Sequence, residues 1–108
     1  MEANGMQRRL VSIRRNVPTA RLEEYVTLWV KLHTAATAVG AHAWNFVSAD
    51  VPELYLEFLE FGPDSDIRSD AETLAGIRAL HESFGDLYPP PQTMEEWVAI
   101  PTPQAGVP

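Results

Sequence analysis

The segment LYLEFLEF, Leu54–Phe61, is rich in aromatic and branched side chains and ends at Gly62-Pro63. A run of this composition predicts a β-strand. Strand geometry sends alternate side chains to opposite faces, and here both faces receive large apolar groups: Tyr55, Leu59 and Phe61 on one, Leu54, Leu56 and Phe58 on the other. A sheet with one solvent-exposed face does not have this pattern, so we expect both faces of this sheet to be covered.

The run before this strand also alternates with a period of two. His42, Trp44 and Phe46 share one side of it, and residues 48–53 are typical of a turn. The two runs therefore predict a β-hairpin.

Two amphipathic helices are predicted around this hairpin. Thr19 is the expected N-cap of the first and Gly40 its C-terminal stop, with apolar or aromatic side chains every three or four residues: Leu22, Tyr25, Val26, Trp29, Leu32, His33, Ala36 and Val39. Ser69 and Glu72 form a capping box for the second, which Gly85 closes. Its stripe comprises Leu74, Ile77, Leu80, His81 and Phe84.

Short runs at residues 9–16 and 95–100 predict the first and last strands. The order is then βαββαβ in one domain, residues 8–100, with a disordered N-terminus at 1–7 and a flexible tail at 101–108. This order is typical of a ferredoxin-like α+β fold, with an antiparallel four-stranded sheet and two helices on one face. The other face needs a cover, which predicts a homodimer through the sheet face, a dimeric barrel.

Composition excludes several functions. The chain has 108 residues, no cysteine and a net charge of -7, which argues against a nucleic-acid partner. Apolar runs are far shorter than the roughly 18 residues that cross a bilayer, so we expect no membrane partner and a cytoplasmic protein. There is no glycine-rich phosphate loop and no nucleophile-elbow serine, so nucleotide cofactors and covalent catalysis are not expected.

Metal binding is also not expected. His33, His42 and His81 never stand three or four residues apart, as ligands on one helix face would. Residues 64–75 superficially resemble a calcium loop, but Arg68 stands where an oxygen ligand belongs and Ala75 where the bidentate glutamate belongs. A solvated loop and helix cap is the better interpretation.

Aromatic and histidine side chains give the best candidate site. Trp29 and His33 share a helix face, and Trp44 projects from a strand, so a pocket between helices and sheet could take a small apolar or aromatic ligand. The candidate ligand-binding residues are Tyr25, Trp29, Trp44 and Tyr55. Ordinary core or interface packing is the competing interpretation for each of them.

Two glutamates within the LYLEFLEF strand are unusual. Glu57 or Glu60 could face a cavity or pair with Arg14 or Arg15 across the sheet. An exposed edge position is the alternative.

Residues 9–100 resemble the dimeric α+β barrel superfamily, which includes the antibiotic-biosynthesis-type monooxygenases. Residues 17–25, VPTARLEEY, resemble the opening of that family's first helix. The resemblance implies a pocket that binds a polycyclic phenol without metal or flavin, with a histidine or tyrosine taking the proton. His33 and His42 are then the catalytic candidates, with no cofactor. The alternative is a non-catalytic ligand-binding or assembly module of the same dimeric fold.

Overall fold

The computed structural model describes residues 7–84 and 94–100. The predicted disorder at residues 1–7 falls almost entirely outside these residues, and the predicted closing Gly85 and flexible tail lie wholly outside them. The elements, in chain order, are β1 Arg9–Asn16, α1 Leu22–Ala38, β2 His42–Val47, β3 Leu54–Phe61, α2 Ala71–Phe84 and β4 Met94–Val98. The βαββαβ order predicted from the sequence is confirmed.

One antiparallel sheet carries the four strands in the order β2-β3-β1-β4. The register places Val11 opposite Leu59 and Leu59 opposite Ala43. Opposed residues in an antiparallel pair point to the same face, so this row of three buried side chains marks the face that the helices cover. The fold is a ferredoxin-like α+β fold, as the element order predicts.

The core fills the layer between this face and the two helices. Helix α1 contributes Tyr25, Trp29, Leu32 and Ala36, and α2 contributes Leu80 and Phe84. His33, Val26 and His81, which the apolar periodicity also placed on the buried stripes, are exposed. The three- and four-residue spacing spans a wider arc than the helices bury, which is why these flanking positions face solvent.

Both predicted helix starts are shifted. Residues Thr19–Arg21 form a separate 3-10 turn, and the Thr19 side chain contacts the Glu53 carboxylate instead of capping α1. At α2 the cap is Asp70, whose carboxylate accepts a hydrogen bond from the Thr73 amide at 2.9 Å, whereas the Ser69 hydroxyl bonds the carbonyl of Asp66. Asp and Ser are equally good caps, so the composition alone does not settle a one-residue choice.

The prediction that Gly40 ends α1 is confirmed. Gly40 has a φ of +94°, a conformation that side-chain-bearing residues rarely adopt, and a Cβ there would meet Ser65 Cβ at an ordinary 3.5 Å. Backbone strain is therefore the main cost of adding a side chain.

We expect Gly40→Ala to lower the free energy of unfolding by about 1–2 kcal/mol, and Gly40→Asn by less, because asparagine tolerates positive φ. Urea unfolding of the three proteins measures this difference. An alanine variant as stable as the parent would contradict the assigned backbone conformation.

Neither helix within the described residues is long and apolar enough to cross a membrane.

Candidate functional site

The residues that the sequence predicts to line one pocket lie on opposite sides of the sheet. Tyr25, Trp29 and Tyr55 lie between the helices and the sheet, whereas Trp44 lies on the face of the sheet away from the helices, where it is 46% exposed. His33 is exposed on α1, although its ring is 6.2 Å from that of Trp29. The expected lining of Trp29, His33, Trp44 and Tyr55 is therefore not assembled around one cavity.

A buried polar cluster occupies the interior instead, and we define it as Arg15, Tyr25, Asn45 and Glu57. Arg15 and Glu57 are both 0% exposed. Arg15 Nε donates to the Glu57 carboxylate at 3.2 and 3.3 Å, and the Tyr25 hydroxyl donates to Glu57 Oε2 at 2.8 Å. Asn45 Nδ2 donates to the Tyr25 hydroxyl oxygen at 3.4 Å. Three strands and α1 thus each supply one member.

The sheet register explains why these side chains meet. Glu57 stands opposite Ile13, and Arg15 stands opposite Tyr55, so Glu57 and Arg15 are diagonal neighbours on the helix-covered face. Asn45 on β2, the other neighbour of β3, stands opposite Glu57 and so shares this face. Of the two arginine partners that the sequence allowed, Arg15 is the one on this face. Arg14 is exposed and points the other way.

Burial dominates the electrostatics of the cluster. Desolvation raises the pKa of Glu57 above its ordinary value, although Arg15 and the Tyr25 hydroxyl favour the charged form. Desolvation and the nearby Glu57 charge raise the pKa of Tyr25 well above its usual range. Tyr25 therefore keeps its proton under all ordinary conditions, and Glu57 is the group of the pair whose protonation can change.

Arg15 is only partly satisfied. Its terminal nitrogens Nη1 and Nη2 are buried and have no hydrogen-bond partner within the described part of the chain. A buried donor without a partner costs about 1–3 kcal/mol, and more when it is charged. Native proteins rarely leave such groups unpaired, so two adjacent donors of this kind are a candidate ligand contact.

Aromatic rings surround the cluster on the helix side. The Tyr25 ring lies 5.1 Å from that of Tyr55 and 5.7 Å from that of Phe84. The Arg21 guanidinium stacks on Phe84 at 4.2 Å, and its Nη1 donates to the carbonyl of Ser83 at 3.1 Å. The charged centre is thus enclosed by apolar and aromatic walls.

A second charged cluster lies at the edge of the sheet face away from the helices. Glu60 accepts from Arg8 Nε at 2.6 Å and contacts His42 Nδ1 at 2.8 Å, while the His42 ring stacks on Trp44 with 5.9 Å between centroids. The His42 side chain is 62% exposed. Within the described residues, no group of three or more acidic and histidine side chains is arranged to hold a metal ion.

The ion pairs of Glu60 predict that the folded protein loses stability in acid. Hydrogen bonds from Arg8 hold the pKa of Glu60 at about 2, against an ordinary 4.5. A depressed carboxyl pKa stabilises the folded state above the ordinary value, and this stabilisation is lost as pH falls from 4.5 towards 2.

We therefore expect Glu60→Gln to flatten the dependence of unfolding free energy on pH in this window. Urea unfolding at successive pH values measures it. Asp66, whose pKa Arg68 holds at about 2, titrates in the same window and leaves a residual slope. An unchanged slope in Glu60→Gln would contradict the assigned pairing.

The sheet face away from the helices is apolar, and we call it the open face. It carries exposed Trp44, Phe46 and Trp97, which are 46%, 57% and 51% exposed, beside half-buried Leu10, Leu54, Leu56 and Phe58. Hollows of about 480 and 320 Å³ indent it, the first beside Trp44 and Trp97 and the second beside Phe46 and Leu56. The two-sided apolarity predicted for β3 is thus present.

Two further hollows lie away from the buried polar cluster. One of about 540 Å³ lies on the outer surface between α1 and α2, and one of about 270 Å³ lies beside Arg9 and Arg68. Arg15, Tyr25 and Glu57 are each 0% exposed, so the cluster is packed within the core.

No model of a known protein family matches this chain, and no curated protein matches it. Solved structures do. An antibiotic biosynthesis monooxygenase is 12% identical with a TM-score of 0.60, covering 89% of this chain and 99% of that one. SnoaB, a cofactor-independent oxygenase from Streptomyces nogalater, is 14% identical with a TM-score of 0.61, covering 92% and 96%. A dabb family protein from Mesorhizobium loti with a ferredoxin-like fold is 15% identical with a TM-score of 0.55, covering 92% and 99%.

These identities are too low to assign the activity of those proteins to this chain, but the matched regions include nearly the whole of each chain. The resemblance predicted from the sequence is confirmed at the level of the fold. This chain has the ferredoxin-like α+β fold that antibiotic biosynthesis monooxygenases and dabb proteins share.

Proposed function

We propose that this chain is a small-molecule-binding protein that works as a homodimer, with its ligand site at the buried polar cluster between α1 and the sheet. The ligand is a small, mostly apolar or aromatic molecule with one polar group. Tyr25, Trp29 and Tyr55 form its apolar surroundings, and Arg15 and Glu57 contact the polar group.

The unsatisfied guanidinium of Arg15 is the observation that carries this proposal. A purely structural ion pair would use most of the five donors of an arginine, whereas here only Nε is engaged within the described residues. The cluster also combines a carboxylate of raised pKa with a buried hydroxyl, which is typical of sites that bind or move protons.

Asn45 and Tyr55 lie beside the cluster, on β2 and β3. Both are half-buried, and Val47 beyond them is 55% exposed. A shift of the Tyr55 ring would open a path to Arg15, its neighbour across the β1–β3 pair. The ligand therefore enters by displacing a side chain at the β2 end of the sheet.

The open face supports the homodimer. A monomer rarely exposes a continuous patch of large apolar side chains, and two copies of a twisted sheet can cover each other by two-fold symmetry. The charged side chains of the face include Arg14 on β1 and Glu95 on β4, and the Arg8–Glu60 pair lies at its edge. The second copy is thus the occupant that the chemistry of this face fits best.

A cofactor-independent oxygenase is the second candidate function. The fold likeness to SnoaB favours it, and Glu57 could take a proton from an acidic substrate. His33 and His42 remain the alternative proton acceptors predicted from the sequence. Oxygen consumption with anthrone-like and quinol substrates, compared among the parent, His33→Ala and His42→Ala, tests the oxygenase and these two assignments together.

Tryptophan fluorescence tests the binding site, because the three tryptophans of the chain lie in two different places, one in the core and two on the open face. Trp29 lies in the core, one helical turn from Tyr25, and Trp44 and Trp97 lie on the open face. The variant Trp44→Phe/Trp97→Phe keeps only the interior reporter, and Trp29→Phe keeps only the open-face reporters.

With nitrobenzene as a quenching probe, we expect saturable quenching in the variant that keeps Trp29. Quenching should be weak and linear in Trp29→Phe, where it reflects collisions only. Saturable quenching confined to Trp29→Phe would move the ligand to the open face and refute the interior site.

A further inference from the structure

The buried polar cluster also indicates the chemical class of its ligand. This inference rests on the proposed function, since it concerns the same site. We propose that the site selects small aromatic carboxylates, which Arg15 binds through Nη1 and Nη2 while Glu57 takes up one proton.

The geometry of the free donors favours a carboxylate. Among the described residues neither Nη1 nor Nη2 has a hydrogen-bond partner, and both belong to the outer edge of the guanidinium, opposite the Nε that bonds Glu57. Two parallel N–H donors match the two oxygens of one carboxylate, whereas a single hydroxyl or carbonyl oxygen would leave one of them unsatisfied. The ligand is therefore bidentate at this edge.

Charge balance requires the proton. Arg15 and Glu57 together are neutral and both are fully buried, so a carboxylate added beside them would leave one net negative charge in the core. When Glu57 binds one proton, an O–H bond forms on its carboxylate and the cluster is neutral again, with Arg15 now paired to the ligand. The proton comes from solvent, and no other bond is made or broken.

The position of the proton follows from the contacts of Glu57. Oε2 accepts from the Tyr25 hydroxyl at 2.8 Å and from Arg15 Nε at 3.2 Å, whereas Oε1 accepts from Arg15 Nε at 3.3 Å and from no other group among the described residues. The less occupied oxygen, Oε1, is the better proton acceptor. Burial already favours the protonated form of Glu57, so taking up the proton costs little free energy.

The groups that face Glu57 do not compete for this proton. Arg15 from β1 and Tyr25 from α1 are the charged and titratable groups in contact with it, and β2 supplies the amide of Asn45. Helix α2 approaches through the Phe84 ring, which packs on Tyr25. Arginine stays charged and Tyr25 stays protonated, so Glu57, whose pKa burial raises, is the member of the cluster that can take up a proton.

Three nitroaromatic probes test the class of ligand: para-nitrobenzoate, its neutral isostere para-nitrobenzamide, and nitrobenzene, which lacks the para group. We expect the parent protein to bind the carboxylate at least about tenfold more tightly than the amide near neutral pH. Calorimetry in two buffers of different ionisation enthalpy should show uptake of about one proton per carboxylate bound. Affinity for the carboxylate should fall about tenfold per pH unit above the pKa that Glu57 has in the ligand-free protein.

Two variants separate the roles of the pair. Glu57→Gln should bind para-nitrobenzoate with no proton uptake and no pH dependence, because its amide is neutral at every pH. Arg15→Met/Glu57→Gln removes both charges, keeps the volume and should lose the preference for the carboxylate over the amide. The second variant remains informative if the single substitution fails to fold.

The outcomes distinguish this inference from the proposed function. Equal affinity for carboxylate and amide, with quenching of Trp29 by nitrobenzene, would overturn the carboxylate class and leave the interior site standing. A carboxylate preference without proton uptake would overturn the role of Glu57. Failure of all three probes to quench Trp29 would overturn both proposals.

Discussion

Glu57→Gln and Arg15→Met are each expected to lower the free energy of unfolding by about 3–5 kcal/mol at neutral pH. Each substitution leaves a partner that is 0% exposed without its counter-charge. The double variant should recover most of the loss, since two neutral side chains of similar volume avoid the desolvation of a buried ion pair. Chemical denaturation of the three variants measures both effects.

Arg78→Met is the matched control. Arg78 is exposed on α2, so its loss should change stability by no more than about 0.5 kcal/mol. A loss below about 1 kcal/mol for Glu57→Gln would mean that Glu57 is already neutral in the folded protein at this pH. That result would contradict the ion pair on which the proposed site depends.

Phe58→Lys is expected to convert the proposed homodimer into a monomer. Phe58 lies on β3 in the middle of the open face, between Trp44 on β2 and Ser12 on β1. Two-fold symmetry places the new charge in the interface twice, so the dissociation constant should rise by about 1,000-fold or more. Sedimentation at micromolar concentration should show the parent at twice the 12.0 kDa chain mass and the variant at that mass.

Val30→Lys is the control for this experiment. Val30 is a similarly exposed apolar residue, 52% accessible, on the helix side of the molecule. The Val30→Lys variant should remain dimeric. Dissociation of Val30→Lys with an intact Phe58→Lys dimer would place the second copy on the helices and refute the role of the open face.

The sequence is sufficient to predict the element order, because hydrophobic periodicity records which face of each element is buried. The alternation in Leu54–Phe61 predicts a sheet with two apolar faces, and the positive φ of Gly40 follows from its place at the end of a helix. Helix starts are less well determined, since adjacent Ser69 and Asp70 are both good caps.

The grouping of site residues is harder to predict than the elements. Strand alternation places Trp44 and Asn45 on opposite faces of β2, but only the pairing of strands shows which of them faces the helices. Glu57 carries a signal in the sequence, a charge within an apolar strand, and the register then selects Arg15 over Arg14 as its partner. The unsatisfied edge of Arg15 has no sequence signal, because it depends on the positions of single atoms.

A crystal structure of the protein soaked with para-nitrobenzoate tests the interior site most directly. We predict that the probe lies between α1 and the sheet, with its two carboxylate oxygens within hydrogen-bond distance of Arg15 Nη1 and Nη2 and the Tyr55 ring displaced. A probe bound on the open face or between the helices, with ordered water alone at the Arg15 nitrogens, would contradict the assignment of this cluster as the ligand site.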